Sequence, residues 1–245
     1  MTHPDAPFQE KEPRRSGEKK SKPLWLETLV LLVVALVLAI GIKAFFIQAF
    51  YIPSESMEPG LQGGAQVKTD DRVLVEKVSY WGGGSPQRGD VVVFKDPGGW
   101  LPASEDDGPS GPIAKALTFV GLYPAGGHLV KRVIGVGGDT VSCSGTAGPL
   151  KVNGHALAES SYLPKGAQPC ATYGAFNVHV PDGSLWVMGD NRGDSADSRA
   201  HQDDPGHGFV PTDLVVGKVV ALVWPLGRAT ILHRPADFAG IPDPK

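Results

Sequence analysis

The rhythm of polar and apolar positions changes three times along the chain. Residues 1–23 are polar and rich in Pro, Lys, Arg and Glu. Such a stretch buries too little apolar surface to fold, so it reads as a disordered tail. From Leu24 to Phe50 the chain is almost continuously apolar. The uncharged centre, Thr28 to Ile42, has 15 residues and covers only about 22 Å of a roughly 30 Å hydrocarbon core. A span must therefore take in Glu27 and Lys43 near its two ends. Lys43 reaches the interface by snorkelling. Trp25 on one side, and Phe45, Phe46, Phe50 and Tyr51 on the other, suit the interfacial belts. The run exceeds the h-region of a cleavable signal peptide and no clear small-x-small site follows it, so it reads as a permanent anchor over 24–50. Lys11, Arg14, Arg15, Lys19, Lys20 and Lys22 precede it. Positive charge there places that end in the cytoplasm and everything after Tyr51 outside it.

From Gln66 onward the period becomes two. Arg72–Val78, Asp90–Phe94, His128–Val136, Ser184–Met188 and Val215–Trp224 read as strands. Residues 96–127 form a long Pro/Gly-rich connection, within which Ile113–Leu122 has the pattern of a short helix. The expected organisation is a mainly β catalytic core over 51–139 and 185–235, with a loop insertion at 96–127. A small second β subdomain spans 140–184 and a C-terminal tail 236–245. The content of Gly (32) and Pro (22) suits short strands joined by turns.

A formal net charge of −3 advertises no nucleic-acid surface. Two cysteines, Cys143 and Cys170, exclude a disulfide-dense scaffold and a four-cysteine zinc site. On the outer side of a membrane they suit a disulfide, closing a loop of about 28 residues and worth roughly 3–4 kcal/mol in the chain-entropy model. Asp190, Asn191, Asp194 and Asp197 miss the EF-hand spacing. His201, Asp203, Asp204 and His207 lie among Pro and Gly without a helix to align them. Neither group reads as a metal site, and no cofactor is called for.

The candidate chemistry starts at Pro53-Ser54-Glu55-Ser56-Met57-Glu58-Pro59-Gly60-Leu61. Prolines on both sides exclude a regular helix or a central strand and favour a stiff turn. A serine there is a poor nucleophile until a base takes its proton; without a base the stretch is a linker. Lys131 is the candidate base. It lies inside an apolar strand on the face of Leu129 and Val133. The plain alternative is an edge-strand lysine. Burial would hold the amine neutral, and moving its pKa from about 10.4 to about 8 costs roughly 3 kcal/mol. A third stretch, Gly189–Arg199, is dense in polar hydrogen-bonding groups.

Pro53–Leu61, Arg88–Phe94, Lys131–Asp139 and Gly189–Arg199, in this order behind one anchor, resemble the type I signal peptidases, membrane-bound serine proteases that remove signal peptides. The resemblance implies antiparallel sheets, with Ser56 as nucleophile and Lys131 as general base. It places Ser54 with the Ser56 backbone N–H in the oxyanion hole, makes Ser195 the residue that hydrogen-bonds and orients the lysine, and makes Asp197 and Arg199 a supporting ion pair. It makes Asp90, Val91, Val92, Val93 and Phe94 one wall of a groove that receives the substrate as an added strand. The implied partners are membrane lipids and exported preproteins with small residues at positions −1 and −3 of the cut. Gly60 stands where the family often has Thr, and Gly193-Asp194 departs from Asp-Asn. Three other readings compete. A Ser-His-Asp hydrolase would draw on His128, His155, His179, His201 or His207, but Ser56 lies in no Gly-x-Ser-x-Gly elbow. A repressor-like self-cleaving Ser/Lys protease would need a DNA-binding half. A non-catalytic, membrane-tethered β domain that binds extended peptides would have no reason to combine Ser56, Lys131 and Ser195.

Overall fold

The structure, a computed structural model of the 245-residue chain, describes residues 23–102, 111–112 and 126–244. Residues 1–22 of the expected tail and the expected helix at Ile113–Leu122 lie outside the described residues. Two compact units are formed, Met1–Ala39 and Ile40–Lys245.

Helix α1 runs Leu24–Phe46. It contains no proline, and Glu27 stands in its first turn, where the helix dipole favours negative charge. Its window Leu24–Gly41 has a mean hydropathy of 2.6 and none of it is buried within the protein. A helix that is apolar all round needs an apolar surrounding, either a core or a bilayer. It ends four residues earlier than the sequence suggests, because Ile47–Tyr51 forms strand β1. There the backbone hydrogen bonds leave the helix and pair with β2 (Arg72–Glu76), from Ile47↔Glu76 to Tyr51↔Arg72.

The larger sheet is antiparallel throughout. Its order is β1, β2, β11 (Val215–Trp224), β3 (Val91–Lys95), β4 (His128–Val136), β9 (Ser184–Met188) and β10 (Val210–Pro211), with β12 (Thr230–Ile231) paired to β11. The second sheet, β7 (His155–Ala156), β6 (Lys151–Val152), β5 (Thr140–Cys143) and β8 (Phe176–His179), is also antiparallel. The period-two pattern assigns the faces. Val91 and Val93 pack with Phe50, Ile52, Met57 and Val219, while Val92 and Phe94 pack on the other side with Leu129, Val133 and Val187. A third cluster joins the two sheets through Ile134, Val141, Phe176, Trp186 and Met188.

One sequence expectation changes here. Strand β3 pairs on one edge with β11 and on the other with β4, and both its faces are core. Residues 91–94 therefore have no edge to offer an added strand, and the groove-wall role is replaced by a core role. Residues 236–244 are docked: Phe238 is buried beside Tyr162, and the Pro242 carbonyl accepts Asn153 Nδ2 at 2.9 Å.

Candidate active site

The turn after β1 is fixed from both flanks. Ile52 N–H binds the Asp71 carbonyl at 2.9 Å, and Glu58 N–H and Leu61 N–H close back on Glu55 and Met57 at 3.1 Å each. Met57 and Leu61 are buried in the core, so the turn is pinned by its apolar residues while Ser54 and Ser56, just before them, face the site. Loop 189–199 holds the same turn: Asn191 donates its N–H to the Ser56 carbonyl at 3.1 Å and its Nδ2 to the Glu55 carbonyl at 3.2 Å. Gly189 is required for this approach, because a Cβ there would overlap Ser195 Oγ and the Ser56 carbonyl.

Lys131 comes from the middle of β4, paired with Val92. Its Nζ donates to Ser56 Oγ at 2.6 Å. Both residues are buried, Lys131 at 4 % exposure and Ser56 at 8 %. Burial pulls the ammonium from 10.5 down to about 8, against the pull of Asp197, with the Arg199 charge adding to the fall. A minority of the amine is thus already neutral at physiological pH, and it sits within proton-transfer distance of a hydroxyl. Ser54 Oγ lies 3.2 Å from Ser56 Oγ.

The 189–199 loop is built on buried charge pairs. Asp197 binds Arg199 through both oxygens, at 2.9 and 2.8 Å, and accepts Gly189 N–H at 2.9 Å. Burial alone would raise Asp197, but the Arg199 bonds and charge outweigh it and hold the carboxyl below its usual range. Asp190 binds Arg132 at 2.8 and 2.6 Å. These oxygens are committed to guanidinium groups. Ser195 is buried next to Gly189, but its Oγ has no hydrogen-bond partner among the described residues. The expected bond from Ser195 to Lys131 is not formed; Ser56 Oγ takes the Nζ instead.

Cys143 and Cys170 are joined by a disulfide with Cα atoms 6.0 Å apart. Two further residues around the site, Glu159 and Tyr162, carried no signal in the sequence. Glu159 and Arg192 form a buried pair at 2.5 Å, and the Tyr162 ring lies 4.4 Å from the Arg132 guanidinium. Asp90 binds Lys218 at 2.9 Å and Arg234 at 3.0 Å.

The strand around Lys131 has one open side. The ladder from β4 to β3 continues down to His128, whereas the ladder to β9 stops at Arg132↔Met188. Among the described residues, Leu129–Lys131 are therefore paired on one side only.

A family model described as "Signal peptidase, peptidase S26" matches residues 25–224. The signal peptidase I of Mycobacterium tuberculosis is 43% identical over 218 residues, covering 82% of this chain and 73% of that protein. A probable signal peptidase I of Mycobacterium leprae is 40% identical, covering 87% of this chain and 80% of its own. A probable signal peptidase I-2 of Synechocystis is 37% identical over 91% of this chain and 86% of its own. The order of the motifs, the antiparallel sheets and this likeness over most of the length agree: the chain belongs to the signal peptidase family, peptidase S26, and is a serine peptidase.

Proposed function

We propose that this serine peptidase removes N-terminal signal peptides from exported preproteins with a Ser56/Lys131 dyad and an acyl-enzyme. The observation that carries the reading is the 2.6 Å contact between Lys131 Nζ and Ser56 Oγ in a buried setting. Neutral Lys131 takes the Ser56 proton while Oγ attacks the scissile carbonyl carbon. The oxyanion is met by the Ser54 hydroxyl and the Ser56 N–H; one such donor is typically worth about 2.7–4 kcal/mol. As the C–N bond breaks, Lys131 returns the proton to the leaving amine. A water, deprotonated by Lys131, then hydrolyses the ester. Ser195 packs under Gly189 and supports the loop that grips the Ser56 carbonyl, with Asp197 and Arg199 as its ion pair. The open side of Leu129–Lys131 receives the substrate as an added strand, with small residues expected at −1 and −3. Helix α1 crosses the bilayer once with its N-terminus cytoplasmic, and the catalytic unit meets substrates at the outer surface.

The test is cleavage of a small-x-small signal-peptide substrate in detergent by wild type, Ser56→Ala and Lys131→Met. Wild type should cut, with a rate that rises with pH through a midpoint near 8; both variants should fall to background while remaining folded. Cleavage surviving in Lys131→Met would move the base to another residue. A wild type inert toward a competent substrate would favour a peptide-binding domain.

A further inference from the structure

The mechanism makes no use of the segment Leu157–Tyr173, yet this segment grips the site loop at several points. Glu159 receives Arg192 on both oxygens, at 2.5 and 3.2 Å. The Tyr162 hydroxyl donates to Glu159 Oε1 at 2.6 Å, and the Tyr162 ring supports Arg132, the residue after Lys131. Cys170, crosslinked to Cys143 of β5, stands between two carbonyls that hold the arginines of the loop. Pro169 accepts Arg192 Nη1 at 2.9 Å and Ala171 accepts Arg199 Nη1 at 2.8 Å. Thr172 Oγ1 donates to the Gly193 carbonyl at 3.1 Å. The loop so held donates Asn191 N–H to the Ser56 carbonyl. A contiguous chain of contacts thus runs from the crosslink to the nucleophile.

We propose that the Cys143–Cys170 crosslink and Glu159 are positioning elements for the Ser56/Lys131 pair, acting through loop 189–199, so that reduction of the disulfide turns the peptidase down. The proposal rests on the Ser/Lys reading. The step is a two-electron reduction by a dithiol: the Sγ–Sγ bond breaks, two protein thiols form, and the dithiol closes to its own disulfide. Both cysteines sit in the apolar cluster between the sheets, where a thiol fits as a small apolar side chain. Reduction is therefore expected to free residues 169–171 without dissolving the core.

The experiment compares oxidised wild type, wild type in excess dithiothreitol, Cys143→Ser/Cys170→Ser and Glu159→Gln. Reduced wild type and the double variant should lose roughly tenfold to a hundredfold in kcat, the scale of a small misplacement of reacting groups, with KM changed less. Water reaching Lys131 would relieve the burial that depresses it, so the pH midpoint should rise above about 8. Glu159→Gln should shift kcat and midpoint in the same direction by less. Dithiothreitol should leave the double variant unchanged. Amide exchange at residues 189–199 should quicken on reduction more than in the sheets. A folded double variant with wild-type kcat, pH midpoint and loop exchange overturns the proposal. If the double variant does not fold, reduced wild type and Glu159→Gln decide by the same criteria. If wild type does not cleave, the Ser/Lys reading falls, and unchanged loop exchange on reduction still overturns the clamp on its own.

Discussion

Lys131 and Arg132 are neighbours on β4, both buried, at 4 % and 7 % exposure, and the protein treats them in opposite ways. By the period of a strand their side chains leave opposite faces. Arg132 meets the Asp190 carboxylate with two charge-assisted bonds and also donates to the Gly89 carbonyl at 2.9 Å. Its positive charge is fixed and balanced. Lys131 meets a hydroxyl, and the net effect of its surroundings is to lower its proton affinity. One cation is structural because it is paired; its neighbour is titratable because it is not. The contrast shows why lysine suits the proposed base position. A guanidinium stays protonated at any working pH, whereas a desolvated ammonium gives up its proton.

The largest effect should come from making the two positions alike. Lys131→Arg keeps positive charge and length but removes the proposed base. Cleavage should fall by roughly 10²–10⁴-fold, the usual contribution of a positioned acid–base group. Single-turnover rates at pH 8 and 10 would check it, and recovery at pH 10 would contradict it. Next in size, Arg132→Met leaves Asp190 buried without its partner and should cost about 3–5 kcal/mol, read as a drop in the urea midpoint. A loss under 1 kcal/mol would show that Asp190 takes up a proton or another donor at little cost.

The opposite sign is expected on the other side of the comparison. Folded Lys131 titrates at about 8, below the ordinary lysine value of 10.5, because burial disfavours its charge. Between these values the unfolded chain binds more protons, so stability drops as pH falls from 10.5 to 8 and is level below. At neutral pH the penalty is about 3 kcal/mol at 1.36 per unit. Lys131→Met should therefore abolish cleavage while raising stability at pH 7 by up to about 3 kcal/mol, and the gain should vanish near pH 10.5. Unfolding curves at three pH values would show it; a variant less stable than wild type at pH 7 would mean that the Nζ–Oγ bond outweighs the burial.

Much of this contrast is legible in the sequence because it depends on local pattern. Lys131 interrupts an apolar alternation, and the prolines around Ser54 and Ser56 mark a stiff turn. That the two residues meet across 75 positions rests on topology, which the motif order suggests through family likeness alone. The apolar run at 91–94 reads by its pattern as a core strand, with the groove wall implied by family likeness alone; the pairing of both its edges supports core. The partners of charge pairs are harder still. Glu159 and Arg192 are 33 residues apart, and Arg88 and Asp139, joined at 2.7 and 2.5 Å, are 51 apart. No periodicity links such positions, since either member alone has the look of a solvated surface charge. The site loop is similar: its spacing argues against a cation site, but which arginine takes Asp190 and which takes Asp197 is visible only in the fold.

A third cation calibrates the comparison at its small end. Lys218 on β11 pairs with Asp90 at 2.9 Å, but its side chain keeps 22% of its exposure. Asp90 also holds Arg234 at 3.0 Å and accepts Gln87 N–H at 3.0 Å, so it does not lose its only partner when Lys218 is removed. The ion pair is partly solvated, and such pairs are worth about 0–1 kcal/mol. Lys218→Met should thus change stability by less than about 1 kcal/mol, with the wild-type pH profile of cleavage retained, because Lys218 makes no contact with Ser56 or Lys131. Chemical denaturation at low and high salt would separate the contributions: the small loss should shrink further as salt screens the pair. A loss as large as that of Arg132→Met would mean that depth, rather than the number of remaining partners, sets the cost of breaking a pair in this sheet.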